Sequence, residues 1–384
     1  MKKFLFLMLL ILCVSAGYCE QIANIHRISK APVIDGVLDD ECYKTASYIS
    51  NFLNLSDSSI GEIKDKVYVG YDDQNMYFGI YSVCPYLAAG VINKKNGSVW
   101  SDDDIEIYIN PFGGNTNYFM FAMNGANSFY MSMGTSMWLE SVQYKSIKTD
   151  YGWSGEIAIP LKEIKMEKLQ PVRFNISGAK RSDAKLFTWS DLYGGTFHNP
   201  SRFGTLTFDE NIPSVRIEDI SLNDKTILVK GSADSDLDYS IKLKEQVKAG
   251  KTDKNIDIKE TFDELSGLFK LTFEKDGKTV YQSDFSICAF RLFTEQNKNR
   301  LKVVADLSNA VISKYQKVEI RLEEVNKSAL LHDSRIWYGE TITFTEPYKK
   351  EYNWTLPHKG EYRAVLEVWS FNGLSKRLEE KIVY

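Results

Sequence analysis

The stretch Trp100 to Pro111, WSDDDIEIYINP, decides how this chain folds, because it combines a strand pattern, a dense run of carboxylates and an aromatic side chain. Its isoleucines occupy every second position, and successive side chains of a strand point to opposite faces, which predicts a core on one side and Glu106 on the other. If the strand register extends back to Trp100, that indole and Asp102 lie on the Glu106 side. The alternating isoleucines are Ile105, Ile107 and Ile109.

Composition favours a globular β protein of more than one domain. The chain has 384 residues, of which 13% are aromatic, and it contains 22 Tyr and 21 Phe but only 9 Pro. A chain of this length predicts two or three domains. The formal net charge is -4, and no basic stripe is long enough to follow a phosphate backbone, so we expect no nucleic-acid partner.

The N-terminus has the pattern of a signal peptide over residues 1–16. Lys2 and Lys3 precede an apolar run from Phe4 to Val14, and small residues follow at a position suited to cleavage. We therefore expect a secreted, cell-surface or periplasmic protein. No later stretch approaches the roughly 20 apolar residues that a membrane helix needs, so no transmembrane span is predicted.

Alternating runs predict three β units, at 22–210, 214–293 and 300–384. In the first unit, Asp72 and Asp73 begin a polar turn between two aromatic strands, which predicts a hairpin. Pro160 ends a later strand and opens a segment predicted as helix-like through Leu169. The loop 192–200 is long and aromatic, which favours a binding element. By strand spacing alone, the second and third units are predicted to be small sandwiches of immunoglobulin or fibronectin type.

A sugar-binding site needs flat aromatic side chains for the apolar C–H faces of the ring and carboxylates or amides for the hydroxyls. Trp100, Glu106, Phe197 and the run Asp102 to Asp104 supply both kinds of group. The structural alternative is that Trp100 covers a sheet edge and the carboxylates only solvate a strand.

An ordered set of motifs makes residues 30 to 209 similar to the family 9 carbohydrate-binding modules, which are β-sandwiches related to DOMON-like domains. The resemblance therefore implies an all-β chain with such a sandwich at its N-terminal end. The motifs are Val33-Ile34-Asp35-Gly36, Leu38-Asp39-Asp40 with Tyr43, Val69-Gly70-Tyr71-Asp72-Asp73 with Met76-Tyr77-Phe78, Trp100 with Asp103, Glu106 and Ile107, Gly152 to Pro160, Phe174-Asn175-Ile176, Thr188 to Asp191, and Asn199 to Gly204.

The resemblance implies a site in which two aromatic side chains hold a terminal sugar. It assigns these roles to Trp100 and to Phe197, which stands where the family has tryptophan, and it makes Glu106 an acceptor for sugar hydroxyls. Asp103 belongs to the same motif and is a further ligand-binding candidate. The family arginine near Met120 is absent.

Two more residues near the predicted site, Arg181 and His198, can donate to sugar oxygens, although each is also typical of a solvated surface. We predict no cofactor apart from a possible structural calcium. Asp72 and Asp73 are candidates for holding it, but a polar hairpin turn explains both residues without a metal. A second calcium contact implied by the family is replaced by Cys84.

Four cysteines remain after the signal peptide, and they show no metal-ligand spacing. Cys42 and Cys84 lie in the first unit, where they can form a disulfide in an oxidising compartment or remain as buried thiols. Trp153 and Trp189 lie in strand patterns that indicate core packing rather than ligand contact.

The sequence therefore predicts a secreted, non-catalytic protein that binds a polysaccharide or oligosaccharide and supports its degradation or attachment. One alternative is a structural or adhesion protein with a degenerate sugar site. The other is a glycoside hydrolase, which needs two carboxylates facing each other across the scissile bond. The carboxylates available for such a pair are Asp103, Glu106 and Glu156.

Overall fold

The computed structural model shows an all-β protein. Among the residues it describes, β-strands and short 3-10 helices account for the regular structure, and none of these helices has the length and apolar character needed to cross a membrane. The predicted signal peptide, residues 1–16, lies outside the described residues. The structure describes residues 20–384 except 56–57, 85, 182–184, 193–195, 224, 264, 266, 288–290, 308–315, 326–334, 344–347 and 371–372.

The N-terminal domain is a sandwich of two sheets. One sheet has the strand order β10-β11-β5-β4-β2, and the other contains the run β1-β14-β12-β6-β7-β8-β9, with β13 and β3 beside β12. Among the described residues of this domain, the 3-10 helices Glu41–Lys44, Val99–Ser101 and Pro200–Arg202 lie in the connections. The strands are β1 Gln21–Asn24, β2 Ser47–Ile49, β3 Leu53–Asn54, β4 Lys66–Tyr71, β5 Asn75–Val83, β6 Asp104–Asn110, β7 Phe119–Asn124, β8 Phe129–Met133, β9 Thr135–Ser136, β10 Gln143–Thr149, β11 Gly152–Pro160, β12 Val172–Lys180, β13 Lys185–Thr188 and β14 Gly204–Thr207.

The core between these sheets confirms the alternation that the sequence predicts. Ile105, Ile107 and Ile109 of β6 are buried in it, and so are Trp153 and Trp189, the two tryptophans expected to pack inside. The hairpin of β4 and β5 pairs Val67 with Ile80 and Val69 with Phe78, all four buried. Each strand therefore places its apolar parity in the core and leaves the other parity for the outer faces.

The helix-like segment predicted after Pro160 is wrong, because the chain forms successive turns over 161–165 instead. The Met166 amide donates back to the Leu161 carbonyl at 2.8 Å, and Lys165 has a φ of 59°. A left-handed residue at that point cannot continue a right-handed helix.

A buried carboxylate explains why the motif around Gly36 and the motif around Trp153 occur together. The Glu156 side chain of β11 accepts hydrogen bonds from the backbone amides of Asp35 and Gly36, at 2.9 and 2.7 Å, and from the Tyr43 hydroxyl at 2.7 Å. Ser154 adds a hydrogen bond from its hydroxyl to the Gly36 carbonyl at 2.6 Å. Together these residues fasten the N-terminal turn to the outer face of the β11 sheet.

The second unit is joined to the first through a shared sheet. Strand β1 pairs in parallel with β14 and antiparallel with β21, so that one 13-stranded sheet continues from the N-terminal domain into the second unit. Leu53 of the first domain is buried in the core of the second unit. The strands of the second unit are β15 Val215–Asn223, β16 Thr226–Ala233, β17 Leu237–Leu243, β18 Gln246–Thr252, β19 Asn255–Thr261, β20 Gly267–Lys275 and β21 Lys278–Ile287.

The third unit has two sheets of its own, with orders β22-β23-β26 and β25-β24-β27-β28. Its first strand, β22, begins at Arg291, before the predicted end of the second unit at 293, and pairs with β23. This pairing groups residues from 291 onward with the third unit. The immunoglobulin type of both C-terminal units stays a prediction. The strands are β22 Arg291–Asn297, β23 Arg300–Leu307, β24 Lys317–Glu324, β25 Arg335–Thr343, β26 Tyr348–Thr355, β27 Glu361–Ser370 and β28 Gly373–Val383.

Candidate functional site

The candidate site lies on the outer face of the sheet that contains β6. In one row across this face, Tyr130 of β8 pairs with Ala122 of β7, Ala122 with Glu106 of β6, and Glu106 with Ser177 of β12. Because neighbouring strands lie about 4.8 Å apart, Tyr130 and Glu106 are separated by roughly 10 Å. The small side chain of Ala122 lies between these two residues, so the surface of the sheet is depressed there. We call this surface, together with the loops above it, the aromatic face.

Trp100 stands at one end of the aromatic face. It lies in the 3-10 helix Val99–Ser101 and not in the strand, so the prediction that the strand register extends back to it is wrong. Trp100 nevertheless lies on the same side of the sheet as Glu106, because its ring packs edge-to-face on Tyr130 at a centroid distance of 5.1 Å. The indole is 39% exposed, which leaves apolar surface available to a ligand.

Phe197 and His198 stand over the same outer face. Phe197 is partly buried against the apolar cluster that includes Val99, Tyr108 and Phe203. The Tyr118 hydroxyl is hydrogen-bonded to Nδ1 of His198 at 2.7 Å. The structure therefore places Trp100, through its contact with Tyr130, and Phe197 beside one apolar cluster on one face of the domain. Their role as two walls around a sugar stays a prediction.

The floor of the aromatic face carries a buried acidic pair. Glu106 is only 3% exposed and accepts a short hydrogen bond from the Tyr108 hydroxyl. Burial raises the pKa of Glu106 above its usual value, although hydrogen bonds from Tyr108 and Asp104 oppose that rise. Burial, followed by the Glu106 charge, raises the pKa of the neighbouring Asp104 carboxyl strongly. Such perturbed carboxyl groups are concentrated at functional sites.

The side chains of Asp102 and Asp103 accept hydrogen bonds from backbone amides of neighbouring segments and do not line an open groove. Both Asp102 carboxylate oxygens accept hydrogen bonds from the backbone amides of Gly90 and Val91, at 2.9 and 2.8 Å. Asp103 accepts from the amide of Ala88 at 2.8 Å and from the amide of Arg181 at 2.5 Å. The expectation that Asp102 lines the face is therefore wrong, since the strand begins only at Asp104. Asp103 stays a predicted ligand residue, with both oxygens already bonded.

Arg181 connects this loop to the aromatic wall. Its guanidinium donates a short hydrogen bond to the Trp100 carbonyl, while its own amide is held by Asp103. The side chain is exposed, so it can hold Trp100 in position and still offer donors to a ligand.

The calcium candidates are occupied by protein groups. Asp72 accepts hydrogen bonds from the amides of Gln74 and Asn75 and from the Tyr77 hydroxyl, and Asp73 is paired with Arg27. These contacts agree with the polar-turn interpretation. Within the described part of the chain, no cluster of three or more His, Cys, Asp or Glu side chains is arranged to hold a metal ion.

Cys42 and Cys84 are free buried thiols in the structure, so the alternative without a disulfide is the one observed. Cys84 lies beside a buried lysine, with its Sγ 3.1 Å from the Nζ of Lys180. Cys84 stands where the resemblance implies a calcium contact, and in this structure it lies next to the ammonium group of Lys180.

Sequence reasoning missed Tyr118 and Tyr130, which complete the aromatic face. Phe129 and Met131, on either side of Tyr130 in β8, are both buried in the core. Period-two alternation in β8 could therefore have predicted that Tyr130 lies on the outer face. Tyr118 lies just before β7, and its contact with His198 depends on the conformation of a loop. Alternation of side chains in the sequence does not predict that conformation.

Comparison with known proteins matches the N-terminal domain to a family. Residues 34–211 match the model of the carbohydrate family 9 binding domain-like family. Endo-1,4-beta-xylanase A of Thermotoga neapolitana is 29% identical over 184 residues, and that match covers 46% of this chain but only 17% of the xylanase. The chain therefore spans about a sixth of the length of this curated relative.

Solved structures give matches of the same extent. A putative carbohydrate-binding protein from Bacteroides uniformis is 15% identical with a TM-score of 0.41, and the match covers 50% of this chain and 100% of that one. A family 9 carbohydrate-binding module from Caldicellulosiruptor kristjanssonii in complex with cellotriose is 18% identical with a TM-score of 0.39, and covers 53% of this chain and 99% of that one. The family model and the ordered motifs agree, and residues 34–211 of this chain match the carbohydrate family 9 binding domain-like family.

Proposed function

We propose that the protein is an exported, non-catalytic saccharide-binding protein that takes a terminal sugar on the aromatic face. The observation that carries the proposal is the gathering of Trp100, Phe197 and Glu106 on one face, within a domain of a carbohydrate-binding family. The exposed indole offers a stacking platform, and Arg181 and His198 offer donors for sugar oxygens. A ligand reaches the buried Glu106 carboxylate only when the side chains above it move.

The distribution of carboxylates supports a binding role over hydrolysis. Glu106 lies on the outer face of one sheet, whereas Glu156 lies on the outer face of the other, where it fastens the turn at Gly36. Packed sheets are about 10 Å apart, and outward side chains are farther apart still, while glycosidase carboxyl groups are roughly 5 to 9.5 Å apart. Both oxygens of the third candidate, Asp103, already accept hydrogen bonds from backbone amides, which disfavours it as a catalytic carboxylate.

A glycan array of the mature protein tests the proposal. We expect binding to at least one glycan with an accessible chain end, and no new reducing ends when the protein is incubated with plant and host polysaccharides. Folded protein that binds no glycan above background would favour the structural or adhesion alternative. Turnover that disappears in Glu106→Gln would instead show a hydrolase.

A further inference from the structure

A cleft of about 430 Å³ lies between the N-terminal domain and the second unit, on the side of the sandwich opposite the aromatic face. The N-terminal domain contributes Lys66, Tyr68 and Tyr81 from the sheet of β4 and β5, and the second unit contributes the segment 218–220 of β15. The volume falls in the range of roughly 300 to 1,000 Å³ that small-molecule sites occupy, and domain junctions are common places for them.

Hydrogen bonds across the junction fix the walls of this cleft. The Asn51 side-chain amide donates to the Ile217 carbonyl at 3.1 Å, and its carbonyl oxygen accepts from the Ile220 amide, also at 3.1 Å. Lys64 pairs with Asp219 at 3.3 Å. Together with the sheet that runs through β1, these contacts hold the two walls in a defined arrangement before any ligand arrives.

The N-terminal wall presents two tyrosines that their neighbours hold rigidly. The Tyr81 ring stacks on Tyr151 at a centroid distance of 4.3 Å, and the Tyr68 ring packs edge-to-face on Tyr43 and Tyr48 at 5.4 and 5.6 Å. Both Tyr68 and Tyr81 are half-buried and line the cleft. Rigid, amphipathic rings of this kind bind the C–H faces of sugars and also offer a hydroxyl group.

The opposite wall presents a carboxylate at a bulge. The pairing of β15 with β16 shifts between Ile217 and Asp219, which leaves Glu218 as the extra residue. A bulge redirects the side chain that it carries, and Glu218 is exposed at the cleft. Tyr68 and Glu218 both line this cleft, one on each wall.

The charges of the described residues that line the cleft balance. Lys64 is paired with Asp219, and Asp65 is paired with Lys180, which leaves Lys66 and Glu218 as one charge of each sign. A polyanionic ligand requires a surplus of cations, which this cleft lacks. Its chemistry instead suits an uncharged molecule with many hydroxyl groups.

We propose that this cleft is a second saccharide-binding site, which takes a short neutral oligosaccharide between the tyrosine wall of Tyr68 and Tyr81 and the carboxylate of Glu218. The inference is independent of the aromatic face, because the two sites lie on opposite sheets of the sandwich.

Calorimetric titration of the full mature chain tests the inference. The probes are cellotriose, xylotriose, mannotriose and maltotriose, with trigalacturonic acid as the charged comparison. Each is titrated into the Trp100→Ala variant, which retains the cleft, and into the same variant carrying Tyr68→Ala or Glu218→Gln. The matched control is Tyr86→Ala, since Tyr86 is 79% exposed and does not line the cleft.

We expect at least one neutral trisaccharide to bind Trp100→Ala, and Tyr68→Ala to weaken that binding by about 10-fold or more. Glu218→Gln replaces an exposed residue conservatively, so its loss of affinity reports on the cleft even if Tyr68→Ala does not fold. The inference is overturned if Trp100→Ala binds none of the neutral probes, or if Tyr68→Ala and Glu218→Gln bind as Tyr86→Ala does. If the cleft binds sugar but the aromatic face does not, Trp100→Ala will instead bind every probe as the parent does.

Discussion

At the scale of single residues, the buried pair Asp104 and Glu106 makes the stability of the N-terminal domain depend on pH. The pKa of each carboxyl group is raised in the folded state, so the folded protein binds more protons than the unfolded chain. The contribution of the pair is therefore complete below the unfolded carboxyl pKa of about 4 and is lost as the pH rises through the folded value.

Asp104→Asn should reduce this dependence, because an amide keeps the acceptor for the Ala179 amide and removes a buried carboxyl group whose pKa is raised by burial and by the Glu106 charge. We expect the variant to lose less free energy of unfolding than the parent between about pH 5 and about pH 8, as measured by urea unfolding. Asp150→Asn, which changes an exposed aspartate, is the control. Equal pH slopes in the parent and Asp104→Asn would contradict the role given to this pair.

The residues of the aromatic face show where sequence reasoning succeeds and where it stops. Period-two alternation was enough to place Glu106 opposite the isoleucine core, because that pattern is local. It failed at Trp100, whose position depends on a 3-10 helix, and it gave no indication that Asp102 is bonded to the amides of Gly90 and Val91. Hydrogen bonds between loops leave no periodic trace in a sequence.

At the scale of elements, a buried lysine links the two sheets of the sandwich. Lys180 ends β12, and its Nζ lies 2.6 Å from an oxygen of Asp65, which precedes β4, and 2.6 Å from the hydroxyl of Ser82 in β5. Burial lowers the pKa of Lys180, but the Asp65 carboxylate more than offsets this effect, so the pKa lies above its ordinary value. Burial raises the pKa of Asp65 as well, although Lys180 opposes that rise, and the two groups form an ion pair inside the fold.

Lys180→Met should lower the free energy of unfolding by about 3 to 5 kcal/mol, because it leaves the buried Asp65 carboxylate without its counter-ion. Adding Asp65→Asn should recover part of that loss, since the amide is neutral and retains an acceptor for the Val83 amide. Denaturant unfolding of both variants measures the effect, with the exposed Lys168→Met as control. If Lys180→Met stayed within about 0.5 kcal/mol of the parent, the pair would not stabilise the fold.

Strands were predicted better than their connections. Alternation located strands in all three units, yet it missed β1, β2, β3, β9 and β10 in the first unit, β18 and β19 in the second, and β22 and β26 in the third. Strands β3 and β9 have two residues each, too few for a period of two to be visible. The turns after Pro160 were mistaken for a helix because the left-handed φ of Lys165 has no sequence signal as strong as a glycine.

At the scale of the whole molecule, the first two units share strand β1, which a linker-based division of the chain does not anticipate. A fragment ending near Asn211 has a complete core of its own and should fold, but it exposes the β21-pairing edge of β1 and the side chain of Leu53. We expect it to melt at a lower temperature than the same domain in the full chain. Calorimetry should show the first two units unfolding together and the third separately. Equal melting temperatures for the fragment and the intact domain would contradict this coupling.

His26 makes the same junction sensitive to pH. Its Nδ1 lies 3.3 Å from a carboxylate oxygen of Asp234 in the second unit, and this contact raises the pKa of His26 above 6.5. The stabilisation is therefore complete below the unfolded histidine pKa of about 6.5 and is lost as the pH rises through the folded value.

We expect the melting temperature of the first two units to fall between about pH 6 and about pH 8, and His26→Gln to lessen that fall. Arg216 also pairs with Asp234, at 2.8 Å, so the aspartate keeps a partner in the variant. His358→Gln, in the third unit, is the matched control. A parent protein that melts equally at both pH values would exclude this role for His26.

The central claim is that the aromatic face binds a saccharide. Titration of a glycan-array ligand into Trp100→Ala tests it most directly, with the parent and all variants carrying Glu218→Gln so that the cleft contributes as little as possible. We expect binding to weaken by roughly 5- to 150-fold, equivalent to about 1 to 3 kcal/mol, with an unchanged melting temperature because Trp100 borders solvent. Phe197→Trp should bind at least as well as the parent, and Phe112→Ala, an exposed aromatic at the far end of β6, should bind as the parent does. A Trp100→Ala protein that binds with parental affinity, or that loses binding only because it unfolds, would contradict the claim.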